Sequence, residues 1–479
     1  MAVQPVFPKA PFILLVNPWI TDFAAFDLWA KPMGLLLLAS LLRDGGCGVA
    51  LLDCLDRHDP MTNAHPEMIP GVDRKFGTGK YPKMMVPKPE PYKQIPRHYY
   101  RHGIHPESLE RRLRSFPKPD LIWVTSNMTY WYPGVRETIS TVRRCFPESP
   151  VWLGGIYARL CPRHASSVSG ADEIIDCSTA LLPGKIESST GFSLRNKDQW
   201  ARFTHWPSPA LDLLPSPSYA PLMTSKGCPF KCPYCASQIL QPEWERLSAQ
   251  SIYEEVVKWH ALLGVSDFAL YDDALLLKAE TTLLPALRRI ARDGPAVRFH
   301  TPNAVHVRAL DLETCRTLRE SGFTTLRLGL DTTSVDKQAR WGGKVDMEMF
   351  FSSVGNLVRA GFSGAQIGVY LLGGLPGQSP DEVEQAVRVV GETGAQPYLC
   401  EYSPLPGTPM WPDSVSQCSY DLEEEPLYHN NTFFACRRPD FSYEDLLRLK
   451  DLARQVRQSS VRVRGRETKA TIALHESIA

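Results

Sequence analysis

Three cysteines, Cys228, Cys232 and Cys235, fall within eight positions of the stretch "SKGCPFKCPYCASQ", residues 225–238. The CxxxCxxC spacing lets three thiolates converge on one inorganic centre from a single short loop. A tetrahedral zinc site would need a fourth ligand, and the nearest histidines, His205 and His260, are far off in sequence. A cubane iron–sulfur cluster tolerates the shortage. Three irons take thiolates and the fourth stays open to a substrate or cofactor, a variation on the usual four-cysteine ligation. Pro229 and Pro233 stiffen the loop, and Gly227 suits the turn leading into it. A zinc ion with a borrowed ligand, or three unconnected structural thiols, are the alternatives. The other nine of twelve cysteines (47, 54, 145, 161, 177, 315, 400, 418, 436) are scattered, which fits a reducing compartment better than a disulfide framework.

Such a loop needs a scaffold, and 479 residues are enough for two or three domains. Lysine plus arginine (53) nearly equals aspartate plus glutamate (52), so no global field recommends nucleic acid or an anionic membrane. Met1 to Pro11 lacks the basic flank and apolar length of a signal segment. The longest apolar run, "MGLLLLASLL" (33–42), is half a membrane span, and a soluble cytoplasmic protein is expected.

Strand-like and helix-like stretches alternate from the start, favouring parallel sheets covered by helices. The first half reads as a doubly wound α/β domain with strands at 12–17, 48–53, 121–126, 151–155 and 173–176. It is expected to span residues 1–195, with an insertion or lid at 57–106 that is rich in Pro, His, Lys and Met. Proline-rich residues 196–217 read as an interdomain linker. A second series, 218–412, has strands near 221–225, 267–273, 297–303, 325–331, 365–372 and 396–402, followed by a helical extension at 413–479. In "TLRLGLD" and "QIGVYLLG" the apolar Leu326, Leu328, Leu330, Ile367, Val369 and Leu371 alternate with polar or small residues. A parallel sheet buried on both faces would be apolar throughout. One wet face suits a partly open barrel whose helices cover only the outside; a solvated sheet edge is the plainer alternative.

The cysteine loop resembles the signature of the radical S-adenosylmethionine (radical SAM) superfamily, CxxxCxΦC with an aromatic Φ, here Tyr234. The segments "FALYDDAL", "LRLGLDT", "GLPGQSPDEV" and "YSPLPGTPMW" fall in that family's order. The resemblance implies a partial (β/α)6 barrel holding a [4Fe–4S] cluster whose unique iron chelates SAM. The cofactor is then cleaved reductively to methionine and a 5′-deoxyadenosyl radical. It also implies an electron donor such as flavodoxin or ferredoxin. By position it assigns Tyr234, Asp272, Asp273, Asn303 and Asp331 to SAM, with Gln366 and Tyr370 lining the cavity. A GGE-like spelling is absent at Asp272 and Asp273, and for each polar strand-end residue helix capping or solvation is the plain alternative. Cys400 has the chemistry of a hydrogen-atom donor, although a lone cysteine flanked by apolar residues more often simply packs.

The stretches "LVNPW…KPMGLLLLASLLRDGGCGVALLD", "LIWVTSNMTYWYPGVRETISTVRR" and "VWLGGIYARLCPRHA" resemble the cobalamin-binding domain that precedes the barrel in one large radical SAM class. The crevice at the strand C-termini would then place Asn17, Ser126, Thr129, Gly154 and Gly155 against the corrin. "DRHDPM" offers Asp56 and His58 without the glycine of a DxHxxG motif, and "DCSTALLPG" replaces the family's acidic turn. The leading expectation is a cobalamin-dependent radical SAM C-methyltransferase. Ring closure, rearrangement or oxidation without cobalamin is the second reading, and a non-catalytic iron–sulfur or zinc module is the third. Composition does not name the substrate, whether small molecule or peptide.

Overall fold

The computed structural model describes residues 10–341 and 343–476, with side chains as far as 459. The first nine residues, on which most of the expectation of no signal segment rests, lie outside the described part. The chain divides into two units. The first is Met1–Pro221 with Ala261–Val265 and Glu424–Tyr428; the second is Leu222–His260, Ser266–Glu423 and His429–Ala479.

The first unit is built on a parallel sheet of β1 (Phe12–Asn17), β2 (Gly48–Asp53), β3 (Leu121–Val124), β4 (Val151–Leu153) and β5 (Glu173–Ile174), in the spatial order 5-4-3-1-2. Chain order reverses once, between β1 and β3, so crossovers of one hand put helices on both faces. The strands pay no attention to alternation for that reason: Ile13, Leu14, Leu15 and Val16 are all fully buried. Helix Met33–Asp44 buries nine of its twelve residues, which explains its nearly unbroken apolar run.

The inserted segment is folded, not a bare lid. Lys83–Met85 and Tyr100–His102 form an antiparallel sheet with Ile20–Asp22, while Gly79–Lys80 pairs with Phe26–Asp27 and Val72–Asp73. Its core is aromatic, with Tyr92 and Tyr99 packed on Phe23 at 4.9 and 5.4 Å between centroids. Buried Arg57 binds the Asp27 carboxylate at 3.1 Å and the Asp73 carboxylate at 2.5 Å. Strands of two or three residues carry no periodicity, so composition hid them. Residues 196–217, read as a linker, pack on the first unit instead. Trp200 and Ala210 share a core cluster with Ile13, Leu15 and Trp123, and Ser40 Oγ donates to the Ser208 carbonyl at 2.6 Å. The prolines keep the segment extended, but its tryptophans and leucines are apolar enough to be buried.

The second sheet comprises β6 (Ala220–Leu222), β7 (Asp267–Leu270), β8 (Arg298–His300), β9 (Phe323–Asp331), β10 (Ile367–Gly373) and β11 (Gln396–Glu401), and its spatial order follows the chain. With no reversal, same-handed crossovers leave every helix on one side. Leu326, Leu328, Leu330, Ile367, Val369 and Leu371 are fully buried beneath those helices. Arg327, Gly329, Gly368 and Tyr370 alternate with them on the inner face, where Arg327 pairs with Gly368 and Gly329 with Tyr370 across β9 and β10. A Cβ on Gly368 would lie 2.8 Å from Arg327 Cδ and 2.9 Å from the Tyr398 ring, so the missing side chain makes room for both. The outer flank of β11 is closed by helix Tyr443–Glu476, through Leu446 and Leu449 against Phe434 and Phe441.

Candidate active site

The cysteine loop leaves Ser225–Lys226, a short strand paired with Glu245–Arg246. Gly227 is required twice over: its φ is +81°, and a Cβ there would stand 2.3 Å from the Glu243 carbonyl. Cys228 and Cys232 are buried and Cys235 half-buried. The Met410 amide pins the loop at Pro233 O (2.9 Å), and the Ser237 amide and hydroxyl contact Cys235 Sγ at 3.5 and 3.3 Å. Burial pushes the Cys228 thiol up to about 11, and the nearby Asp273, Cys235 and Cys232 add to the rise. A buried thiol so placed ionises readily only against a metal.

The donor set bears on which metal. A tetrahedral zinc site would need a fourth ligand beyond these three thiols. A cluster in which each thiolate takes a different iron needs none, and leaves one iron open.

The C-terminal ends of the barrel strands surround the loop. Asp331, at the end of β9, has φ of +63°, a strained value for a residue with a side chain, and a register shift sets it off from Gly329. Its carboxylate accepts from the Tyr234 hydroxyl at 2.5 Å and pairs with Lys344 Nζ at 2.5 Å. Lys344 also donates to the Tyr234 oxygen at 3.0 Å. Burial pushes the Tyr234 phenol far above its usual range, and the Asp331 charge adds to it. Lys344 stays charged because Asp331 and the cysteines outweigh its burial. Asp273 accepts from Ser237 Oγ at 3.2 Å, and burial raises its carboxyl.

The remaining expected residues separate. Asp272 is buried and turned back into the fold, accepting from the Thr224 amide (3.1 Å), Thr224 Oγ1 (2.7 Å) and Ser225 Oγ (2.6 Å). It fastens the strand that carries the loop. Exposed Asn303 donates to the Tyr271 and Asp272 carbonyls at 3.1 and 3.3 Å, tying two strand ends together. Tyr370 projects into the lumen and donates to Pro302 O at 2.9 Å, with Tyr398 at 6.2 Å. Gln366 does not belong with them. It sits before the first residue of β10 in a one-turn capping box with Ser363, at the opposite end of the strand from the cysteine loop, roughly 20 Å by strand rise. Period two extended the strand one residue too far, because Gln366 belongs to the turn that precedes it. Lys344 was missed because "GGKVD" is only a loop lysine until β9 and the cysteine loop meet.

In the first unit, Asn17 ends β1 and Ser126 and Thr129 follow β3, the two strands at the reversal, and all three are buried. Asn17 Nδ2 donates to Asp53 Oδ1 at 2.7 Å, while Asn17 Oδ1 is buried with no hydrogen-bond partner. An orphan acceptor in that crevice fits a ligand that brings a donor. Gly154 and Gly155 are explained without a ligand: a Cβ would come 2.9 Å from Trp123 Nε1 at the first and 2.2 Å from Ser126 O at the second. Asp56 and His58 are likewise structural in their contacts, Asp56 pairing with Arg112 at 2.9 Å and accepting from the His58 amide at 3.0 Å.

Residues 222–390 match the family described as the Radical SAM superfamily. This part of the chain is a radical SAM domain. The family works with a [4Fe–4S] cluster and SAM, and the three-thiol loop with its polar strand ends fits both. An uncharacterized methyltransferase of Pyrococcus horikoshii is 23% identical over 328 residues, covering 62% of this chain and 70% of the relative. Among solved structures, the radical SAM methyltransferase TsrM of Kitasatospora setae, with cobalamin and a [4Fe–4S] cluster bound, superposes with a TM-score of 0.63 at 18% identity. That match covers 86% of this chain and 76% of TsrM. The cobalamin-dependent SAM radical enzyme OxsB gives 0.56 at 13% identity, covering 85% of this chain and 55% of OxsB. At these identities the likeness is one of fold, and it extends over both units. No helix among the described residues is long and apolar enough to cross a membrane.

Proposed function

We infer that this radical SAM enzyme is a cobalamin-dependent C-methyltransferase. The observation that carries the reading is the three-thiol loop beside the strand ends of the second sheet, in a chain that also has a 2-1-3-4-5 sheet and that resembles TsrM and OxsB in fold over both units. The methyltransferase relative supports the reaction class.

Cys228, Cys232 and Cys235 would hold three irons, leaving one for the amino and carboxylate groups of SAM. When bound, these groups supply a 5′-deoxyadenosyl radical, and a corrin supplies a transferable methyl group. The chain's own residues bind, orient and shield. Asp331 and Asp273 offer acceptors to the cationic cofactor, and Lys344 neutralises Asp331 until a ligand competes for it. Tyr234 presents its ring beside Trp341, at 5.7 Å, where a planar base would pack. Tyr370 and Tyr398 narrow the lumen and exclude water from it. Asn17, Ser126 and Thr129 are the proposed corrin contacts. A flavodoxin or ferredoxin is the proposed reductant.

The test is product analysis after anaerobic reduction with SAM and cobalamin. S-adenosylhomocysteine together with 5′-deoxyadenosine supports the reading. 5′-Deoxyadenosine alone moves the assignment to radical chemistry without methyl transfer, and no SAM consumption sinks both.

A further inference from the structure

His65 and His105 stand at opposite ends of the 57–106 insertion, yet with Glu67 they bring three ligand atoms within 4.8 Å of one another. The two imidazoles stack, centroids 3.5 Å apart and planes 19° apart. Fully buried Thr62 joins them: its carbonyl accepts from the His65 amide at 3.2 Å, and its hydroxyl oxygen accepts from the His105 amide at 2.8 Å. Asp59 in turn fixes Thr62, accepting from its amide at 2.8 Å and from its hydroxyl, and also from Ser108 Oγ at 2.7 Å. Arg112 pairs with the other Asp59 oxygen at 2.6 Å. The backbone bearing both rings is therefore held in place before any ligand arrives, as a metal site requires.

The donors are ready as well as near. His105 is buried and already fixed at the start of its helix, where its ring caps the Glu107 amide. Amides of Glu67 and Glu107 reach the Nδ1 atoms of His65 and His105 only at 3.4 and 3.3 Å, long contacts that cost little to surrender. Glu67 is exposed and free to swing. None of these residues takes part in the proposed SAM or corrin contacts.

We propose that His65, Glu67 and His105 bind one divalent transition-metal ion. Two imidazoles and a carboxylate are the donor set of an open zinc site, with water as the fourth ligand. Nearly parallel ring planes cannot both contain one ion, so binding turns the half-buried His65 ring out of the stack. The ion clips the two ends of the insertion together, closing the chain between residues 65 and 105.

The test uses the full chain with its iron–sulfur cluster reconstituted, equilibrated with micromolar zinc chloride, gel-filtered and analysed for zinc and iron. About one zinc per chain is expected beyond the iron. His65→Gln and His105→Asn should each cut zinc retention roughly tenfold or more while iron is unchanged. Asparagine keeps the helix N-cap that His105 now provides, so the second variant retains its fold. In a Cys228→Ser, Cys232→Ser, Cys235→Ser chain, cobalt(II) should give visible ligand-field absorption that His65→Gln removes. Equal zinc in parent and both variants, no zinc in the parent, or cobalt bands that survive His65→Gln would each overturn the site.

Discussion

The two parallel sheets use the same strand and helix vocabulary, and one reversal of strand order separates them. In the first sheet the reversal puts helices on both faces, and neighbours such as Leu14 and Leu15 are equally buried. In the second there is no reversal, so Leu328 is buried while its neighbour Arg327 lies in the lumen with its guanidinium 4.7 Å from the Tyr398 ring. A doubly wound sheet spends both faces on stability and keeps only its strand ends for ligands. A singly wound one has a whole face for chemistry. Asp267 illustrates the difference: a carboxylate bound to Arg298 (2.6 Å) and His300 (2.9 Å) opens a strand of the second sheet, whereas β1 of the first runs from Phe12 to Val16 without a polar residue.

The largest effect should come from breaking the loop that the open face serves. Cys232→Ala should abolish SAM cleavage and the cluster's EPR signal, with iron falling from about four per chain; a variant that keeps the intact cluster would refute the ligand assignment. Next, alanine pairs can break the comparison itself. Leu14→Ala and Leu15→Ala should each cost about 2–5 kcal/mol in denaturant titrations, whereas Leu328→Ala should cost that much and Arg327→Met less than about 1.5 kcal/mol. Equal losses at 327 and 328 would show that the second sheet is covered on both faces.

A smaller effect should appear with pH. Burial raises the Asp267 carboxyl, but hydrogen bonds from His300 and Arg298 and the Arg298 charge outweigh it and hold it at about 2. A depressed folded value stabilises above the unfolded value and loses that contribution as pH falls through the folded one. The gain of about 2 kcal/mol should therefore fade between about pH 4 and pH 2. Urea midpoints of Asp267→Asn should lack that slope; an unchanged profile would reject the pairing. Last, Asn303→Ala should leave stability within about 0.5 kcal/mol in the same titrations, since the side chain is exposed. A clearly larger loss would show that its tie between the two strand ends is structural.

The legibility of these features followed their range in the chain. Eleven sheet strands were visible because each depends on a short run of side chains and on period two or its absence. The cysteine loop was visible because its ligands are neighbours in sequence. Asp331 and Tyr234 were separately legible, but their junction through Lys344 spans 110 positions and has no local signal. The strands of the insertion, too short for periodicity, and the packing of 196–217 were hidden for the same reason. Gln366 shows the opposite error, in which an alternation seen along the strand was extended into the turn before it.

By itself the sequence determined where strands run, which side of each is apolar, and that three thiols share one loop, since all of these are settled among residues a few positions apart. Only the tertiary structure decided which strand order each sheet takes, that Lys344 closes on Asp331 beside the loop, and that His65 meets His105. Those contacts join residues tens of positions apart, and their energy exists only once the chain has folded back on itself.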